Sequence, residues 1–208
     1  MTDLAALTSA VEAGDRKTAV AITQSAIAEG MAPQQILDAM TRAMEVVGAK
    51  FSRNEIYVPE MLISARAMKE ATALLEPLLV QAGIKPLHTA VIGTTRGDLH
   101  DIGKNLVGMM WKGAGIAIVD LGTNVSAEQF VSAAQQHGAS LIGVSALLTT
   151  TMVGMKEVVA AVRAAGLPAK VMVGGAPLTP EFAASIGADG YAPDAATAVE
   201  VAKRLLAA

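Results

Sequence analysis

The stretch "HTAVIGTTRGDLHDIGKN", residues 88–105, decides the fold class. Its first eight residues are apolar or β-branched with small residues between, the composition of a buried strand. Glycines and acids follow, and from about Asp101 apolar residues recur at helical spacing. A strand that passes through a short polar loop into a helix opens a β-α-β unit. "GIAIVDLG" (115–122), "ASLIGVSALL" (139–148), "AKVMVGGA" (169–176) and "ADGYA" (188–192) are further strand candidates, with helices expected from near Ser126, Thr150, Thr179 and Asp194. This alternation predicts an α/β Rossmann-like (flavodoxin-like) domain, a five-stranded parallel sheet with helices on both faces. Ligands in such folds sit beyond the carboxyl ends of the strands, where strand order reverses. The segment 97–105 lies at one of those ends.

Ahead of Pro86 the rhythm is different. Leu4, Leu7 and Val11 share a helical face, as do Ala19, Ile22, Ala26 and Ile27, and then Ile36, Leu37, Met40, Met44 and Val47. Breaks fall at Gly14-Asp15, at 30–33 and around 52–54, and Pro59 suits the first turn of a fourth helix through Met61, Ala65, Met68, Thr72 and Leu75. The expectation is an N-terminal four-helix bundle over 1–85 and the α/β domain over 86–208, with a hinge between about Gly83 and His88.

Composition narrows the function. The 208 residues are 52% hydrophobic and carry a net charge of -3, with Lys and Arg scattered, so nucleic acid is not expected as a partner. With no cysteine, disulfides, thiolate metal sites and a cysteine nucleophile are all excluded. The N-terminus lacks the basic flank and apolar run of a signal peptide, and no run approaches the ~20 apolar residues of a membrane span. A cytoplasmic protein without a membrane partner is expected.

The loop "GDLHDIGKN" (97–105) admits several readings. A phosphate loop is excluded because the Gly-Lys-Ser/Thr ending is missing and two acids stand where an anion would go; the Gly-x-Gly-x-x-Gly of a dinucleotide fingerprint is missing too. A helix cap by Asp98 or Asp101, with His100 incidental, stays open on this segment alone. Two further elements bear on it. Residues 104–144, 41 in number, separate Gly103 from Ser145-Ala146-Leu147, and 26 more, 148–173, lead to Gly174-Gly175. Each follows a predicted strand, so His100, Ser145 and the glycine pair would meet at one edge of the sheet.

Asp98-x-His100-x-x-Gly103, Ser145-x-Leu147 and Gly174-Gly175, at these separations, resemble the signature of cobalamin-binding domains that take the cofactor with its own base detached from cobalt and a protein histidine in its place. The segment "KFSRNEIYVPEMLISARAMKEATALLEPLL" (50–79) is similar to the helical cap before that domain in methionine synthase and in corrinoid proteins of methyltransferase systems. The resemblance implies a bound cobalamin, alternating between methylcobalamin and cob(I)alamin, with His100 as the cobalt ligand. A ligating imidazole needs a partner on its other nitrogen. Asp98 would be that partner, and Thr151 stands where the family often has a serine that hydrogen-bonds the aspartate. The structural alternative for Thr151 is an ordinary first-turn helix residue. Asp101, Ile102 and Gly103 would border the cofactor, Ser145, Leu147 and Thr149 would contact its tail or ring, and Gly174 and Gly175 would leave room for the tail. By the same resemblance Phe51, Val58 and Met61, with Tyr57 adjacent, would shield the methyl group; by spacing alone they are helix core. His88 and His137 are expected at the surface or a strand end, and Trp111 in helix packing.

The implied function is a methyl carrier, the corrinoid subunit of a methyltransferase system without a substrate site of its own. Its partners would be a substrate-specific methyltransferase, a second methyltransferase and a reductive activase. Two alternatives share the histidine motif. A cobalamin-dependent sensor would carry a DNA-binding module ahead of the bundle, where about three residues precede the first helix. The small subunit of an adenosylcobalamin mutase would not use the shielding cap.

Overall fold

The computed structural model describes residues 2–83 and 86–207. It divides into two compact units, Met1–Pro86 with Gly113–Gly115, and Leu87–Lys112 with Ile116–Ala208. The span 83–88, where a hinge is expected, contains Ile84 and Lys85, which lie outside the described residues. No helix among the described residues is long and apolar enough to cross a membrane.

The first unit holds α1 (Leu4–Glu12), α2 (Arg16–Ala28), α3 (Pro33–Ser52) and α4 (Val58–Gln81). The Asp3 and Asp15 carboxylates accept the Ala5 and Thr18 amides and so start the first two helices. Pro33 and Pro59 stand in the first turns of α3 and α4, where a missing N–H costs nothing. Between them Asn54 turns the chain with φ 58°. The apolar stripes meet: Leu7, Val11, Ile36, Met40, Met61 and Leu75 are fully buried. Each contributes on the order of 1.5–3 kcal/mol. Polar ties join its helices as well: the Ser64 hydroxyl donates to the Glu12 carbonyl at 2.8 Å, and the Thr8 hydroxyl to the Ala39 carbonyl at 3.0 Å.

The second unit runs β1 (Thr89–Thr94), α5 (Ile102–Gly113), β2 (Ala117–Asp120), α6 (Ala127–His137), β3 (Leu141–Ser145), α7 (Met152–Ala164), β4 (Lys170–Gly174), α8 (Pro180–Ser185), β5 (Gly190–Ala192) and α9 (Ala195–Leu206). The five strands are parallel in the order β2-β1-β3-β4-β5. Side chains alternate between two cores as the pleat requires. Val91, Ile142, Val144, Val171 and Val173 pack with Phe130, Met155 and Val158 on one face, and Ala90, Ile92, Leu141 and Met172 with Trp111 and Val201 on the other. Each face carries one large aromatic over a glycine. A Cβ on Gly93 would lie 2.8 Å from the Phe130 ring, and one on Gly143 2.8 Å from the Trp111 ring. Trp111 also donates its ring N–H to the Ala198 carbonyl at 3.0 Å, which ties α5 to α9.

Because β1 is flanked by β2 on one side and β3 on the other, successive crossovers leave its end in opposite directions. This is the reversal point of the sheet, and the loops after β1 and β3 face each other there.

Candidate functional site

Asp98 and His100 lie on the loop between β1 and α5; Leu147, Leu148 and Thr151 lie between β3 and the start of α7. The register sets Thr94 beside Ser145 and Ser145 beside Gly174, so the three strand ends are level. The two loops meet on one carboxylate. Asp98 is fully buried. Its Oδ1 accepts the His100 backbone N–H at 3.0 Å and faces His100 Nδ1 at 2.7 Å. Its Oδ2 accepts the Leu147 amide at 2.8 Å, the Leu148 amide at 3.3 Å and the Thr151 hydroxyl at 2.7 Å.

Those donors decide its charge. Burial raises the Asp98 pKa, yet the hydrogen bonds from the Leu147 and His100 amides, the Thr151 hydroxyl and the His100 ring outweigh it, holding the carboxyl well below the usual carboxylate range. An anion at Oδ1 assigns the ring proton of His100 to Nδ1 and leaves the lone pair on Nε2. Thr151 has a single hydroxyl proton and two acceptors, Asp98 Oδ2 at 2.7 Å and the Leu148 carbonyl at 2.8 Å. The anionic oxygen is the stronger acceptor. Thr151 is thus both the residue before α7 and a buried partner of Asp98. Neither acid serves α5 as a simple cap: Asp98 spends one oxygen on His100 and the other on the loop after β3, and Asp101, just ahead of α5, accepts Asn105 Nδ2 at 3.0 Å.

The other expected residues fall into groups. Ser145 and Gly174 end their strands, half-buried, and Gly175 follows with φ 138°. A Cβ on Gly175 would sit 1.8 Å from the Ala146 carbonyl oxygen, whereas one on Gly103 would meet nothing within 4 Å. The chain's own backbone therefore requires glycine at 175, and only open space lies beside 103. Leu147, Thr149, Ile102 and Gly103 are exposed. In the helical unit Tyr57 and Val58 are exposed at the start of α4, Phe51 is half-buried near the end of α3, and Met61, one turn into α4, is buried. His137 is exposed at the end of α6 and His88 precedes β1, its Nδ1 3.4 Å from Ser140 Oγ.

Several contributors carry no signal in the sequence. Leu148 acts through its backbone amide. The buried Thr94 hydroxyl donates to the His100 carbonyl at 2.9 Å. Asn124, after β2, donates its N–H to the Asp98 carbonyl at 3.0 Å and accepts the Gly97 N–H on Oδ1 at 2.9 Å. Lys104, in the first turn of α5, is buried with Nζ 2.7 Å from both Asp120 oxygens and 2.6 Å from Asn105 Oδ1. Threonine, asparagine and lysine at such places read as surface or strand-end residues until the loops are closed.

Two families, each described as a B12 binding domain, match the chain, one over residues 88–200 and the other over 4–76. A corrinoid protein of Desulfitobacterium hafniense is 40% identical over 206 residues, 96% of this chain and 95% of that one. The chain is a corrinoid protein. A further relative of this corrinoid protein is the dimethylamine corrinoid protein of Methanosarcina barkeri, 38% identical over 205 residues, 97% and 96% of the two chains. Among solved structures, one chain of the methanol:cobalamin methyltransferase complex of Methanosarcina barkeri superposes with a TM-score of 0.86 at 31% identity, covering 98% of the corrinoid protein and 80% of that chain.

The residues present fit the corrin cofactor. Among the described residues no group of three His, Cys, Asp or Glu side chains could hold a metal ion unaided. A metal that comes within a macrocycle needs a single ligand from the protein. His100 offers one: its side chain is 52% exposed, its lone pair is on Nε2, and a fully buried carboxylate backs Nδ1. The same two loops and the first residue of α5 expose Leu99, Leu147, Leu148 and Ile102, apolar area suited to a flat ring.

Proposed function

We propose that this corrinoid protein carries a methyl group between two methyltransferases, with residues 86–208 holding cobalamin by its cobalt in place of the cofactor's own base and 1–85 covering the methyl group. The observation that carries this reading is the 2.7 Å contact of His100 Nδ1 with Asp98 Oδ1, which occupies one ring nitrogen and leaves Nε2 for a metal. Bound cobalamin supplies the metal that accepts and gives up the methyl group.

The chain's own residues do the rest. Asp98 holds the proton on His100 Nδ1 and fixes the ring; Thr151 and the Leu147 amide hold Asp98. His100, Asp98, Asp101, Ile102, Gly103, Ser145, Leu147, Thr149, Gly174 and Gly175 border the cofactor in this reading. Phe51, Val58 and Met61 form the apolar cover, with Tyr57 beside them. The names of the relatives support a first methyltransferase acting on a small methylated compound of the dimethylamine or methanol kind. A second methyltransferase takes the methyl group on, a reductive activase restores cofactor that has lost an electron, and the system works in the cytoplasm.

Reconstitution tests this directly. The chain loaded with hydroxocobalamin and reduced should become methylated when a dimethylamine or methanol methyltransferase and its substrate are added, read from the visible spectrum. His100→Ala should fold normally and lose that spectrum. A chain that retains no corrinoid after anaerobic loading would sink the reading.

A further inference from the structure

The Asp98 contact orients the His100 ring, but a ring orientation is only as firm as the backbone that carries it. From Gly97 to His100 the loop belongs to no helix or strand. Besides the Thr95 carbonyl, which accepts the Asp98 N–H at 3.1 Å, two residues outside the loop pin its main chain at three points. Thr94, fully buried as the last residue of β1, donates its hydroxyl to the His100 carbonyl at 2.9 Å. Asn124 takes both sides of the Gly97-Asp98 junction, accepting the Gly97 N–H on Oδ1 at 2.9 Å and donating its own N–H to the Asp98 carbonyl at 3.0 Å. To do so it adopts φ 56°, a conformation asparagine tolerates better than most residues. Gly97 beside it has φ 82°.

We propose that Thr94 and Asn124 are positioning residues for the axial ligand: together they clamp the loop main chain so that His100 Nε2 is presented at a set height above the end of β1, and without them the ring leaves the metal more often. This rests on the reading of His100 as the cobalt ligand. Asp98 sets ring rotation and tautomer; the clamp sets where the ring's Cα is. The two jobs are separable because the Thr94 contact bypasses Asp98 altogether. The clamp also explains a polar hydroxyl at full burial, since the His100 carbonyl would otherwise lack that donor.

A full-length chain grown in 15N medium and loaded with cob(II)alamin provides the test. A protein nitrogen on cobalt splits each cobalt line of the EPR spectrum in two, whereas the cofactor's own unlabelled base would split it in three. Unaltered chain lacking the two-line pattern would overturn the ligand reading itself. Given that pattern, Thr94→Val and Asn124→Gly, which keeps the left-handed turn, should each raise the unligated fraction by roughly two- to tenfold. Thr94→Ser, which keeps the donor, should restore it. Amide exchange at His100 in the cofactor-free chain should quicken in the same two variants. Thr23→Val, which removes a buried hydroxyl bound to the Ala19 carbonyl in the helical unit, controls for loss of stability alone and should leave the spectrum unchanged. Should Thr94→Val not fold, Thr94→Ser and Asn124→Gly decide between them. Full two-line splitting in Asn124→Gly, or a Thr23→Val loss equal to that of the clamp variants, overturns the clamp.

Discussion

Gly175 passes the Ala146 carbonyl so closely that a Cβ at 175 would lie 1.8 Å from that oxygen. The crossing occurs just past the paired ends of β3 and β4, where the Ala146 amide donates to the Gly174 carbonyl at 3.2 Å. Gly103, at the start of α5, has no neighbour within 4 Å of a built Cβ. Two glycines of one motif are therefore glycine for different reasons.

That difference can be measured. Gly175→Ala combines a clash with φ 138° and should cost the cofactor-free chain ~3 kcal/mol in urea unfolding. Gly103→Ala, inside α5, should be neutral or stabilise by up to ~1 kcal/mol while reducing cobalamin retention. Equal stability losses in the two variants would show that both glycines serve the fold.

Asp98 makes the cofactor-free chain acid-sensitive in a defined direction. Its folded pKa is depressed, so its contribution is fully present above the unfolded carboxylate value of about 4 and is lost as pH falls through the folded value. Asp98→Asn should cost ~2–4 kcal/mol at pH 7, because an amide turns one NH2 toward existing donors, and should cost less at pH 3. Urea midpoints at the two pH values check this; a loss that grows on acidification would contradict it.

The Lys104–Asp120 pair should respond asymmetrically. The ammonium side chain is 1% exposed and the carboxylate 45%, so either partner's removal strands a different group. Lys104→Met leaves an acid that water can reach and should cost less than ~2 kcal/mol. Asp120→Ala leaves a buried charge with Asn105 as its remaining side-chain acceptor and should cost ~3–5 kcal/mol. Thermal unfolding of both variants, with the order reversed, would refute this.

Thr95 and Gly154 should be coupled. The Thr95 hydroxyl is buried without a hydrogen-bond partner among the described residues, and a Cβ on Gly154 would lie 2.2 Å from it. Gly154→Ala alone should cost ~1–3 kcal/mol, and Thr95→Ala should recover most of that, since it removes the clash and the orphan hydroxyl together. Strict additivity in the double-mutant cycle would rule the contact out.

Much of this molecule follows from local rules. Spacings of three and four, the acids before α1 and α2 and the early prolines of α3 and α4 place four helices before residue 82, because each depends on neighbours within a turn. Apolar runs of four to six residues place the first four strands, β5 being only Gly190–Ala192, and Asp98-x-His100-x-x-Gly103 marks the candidate site. What those rules leave open is what meets what. The motif alone allows Asp98 to cap a helix; in the fold its second oxygen is taken by groups 49 to 53 residues away. Thr94, Asn124 and Lys104 look ordinary until β2 and β3 flank β1 and close three loops around one carboxylate. A hydrogen bond across such a distance depends on strand order and register, which are properties of the assembled sheet, and so Asp98, His100 and Thr151 could be singled out in the sequence while the Thr94, Asn124 and Leu148 contacts around them were decided by tertiary structure.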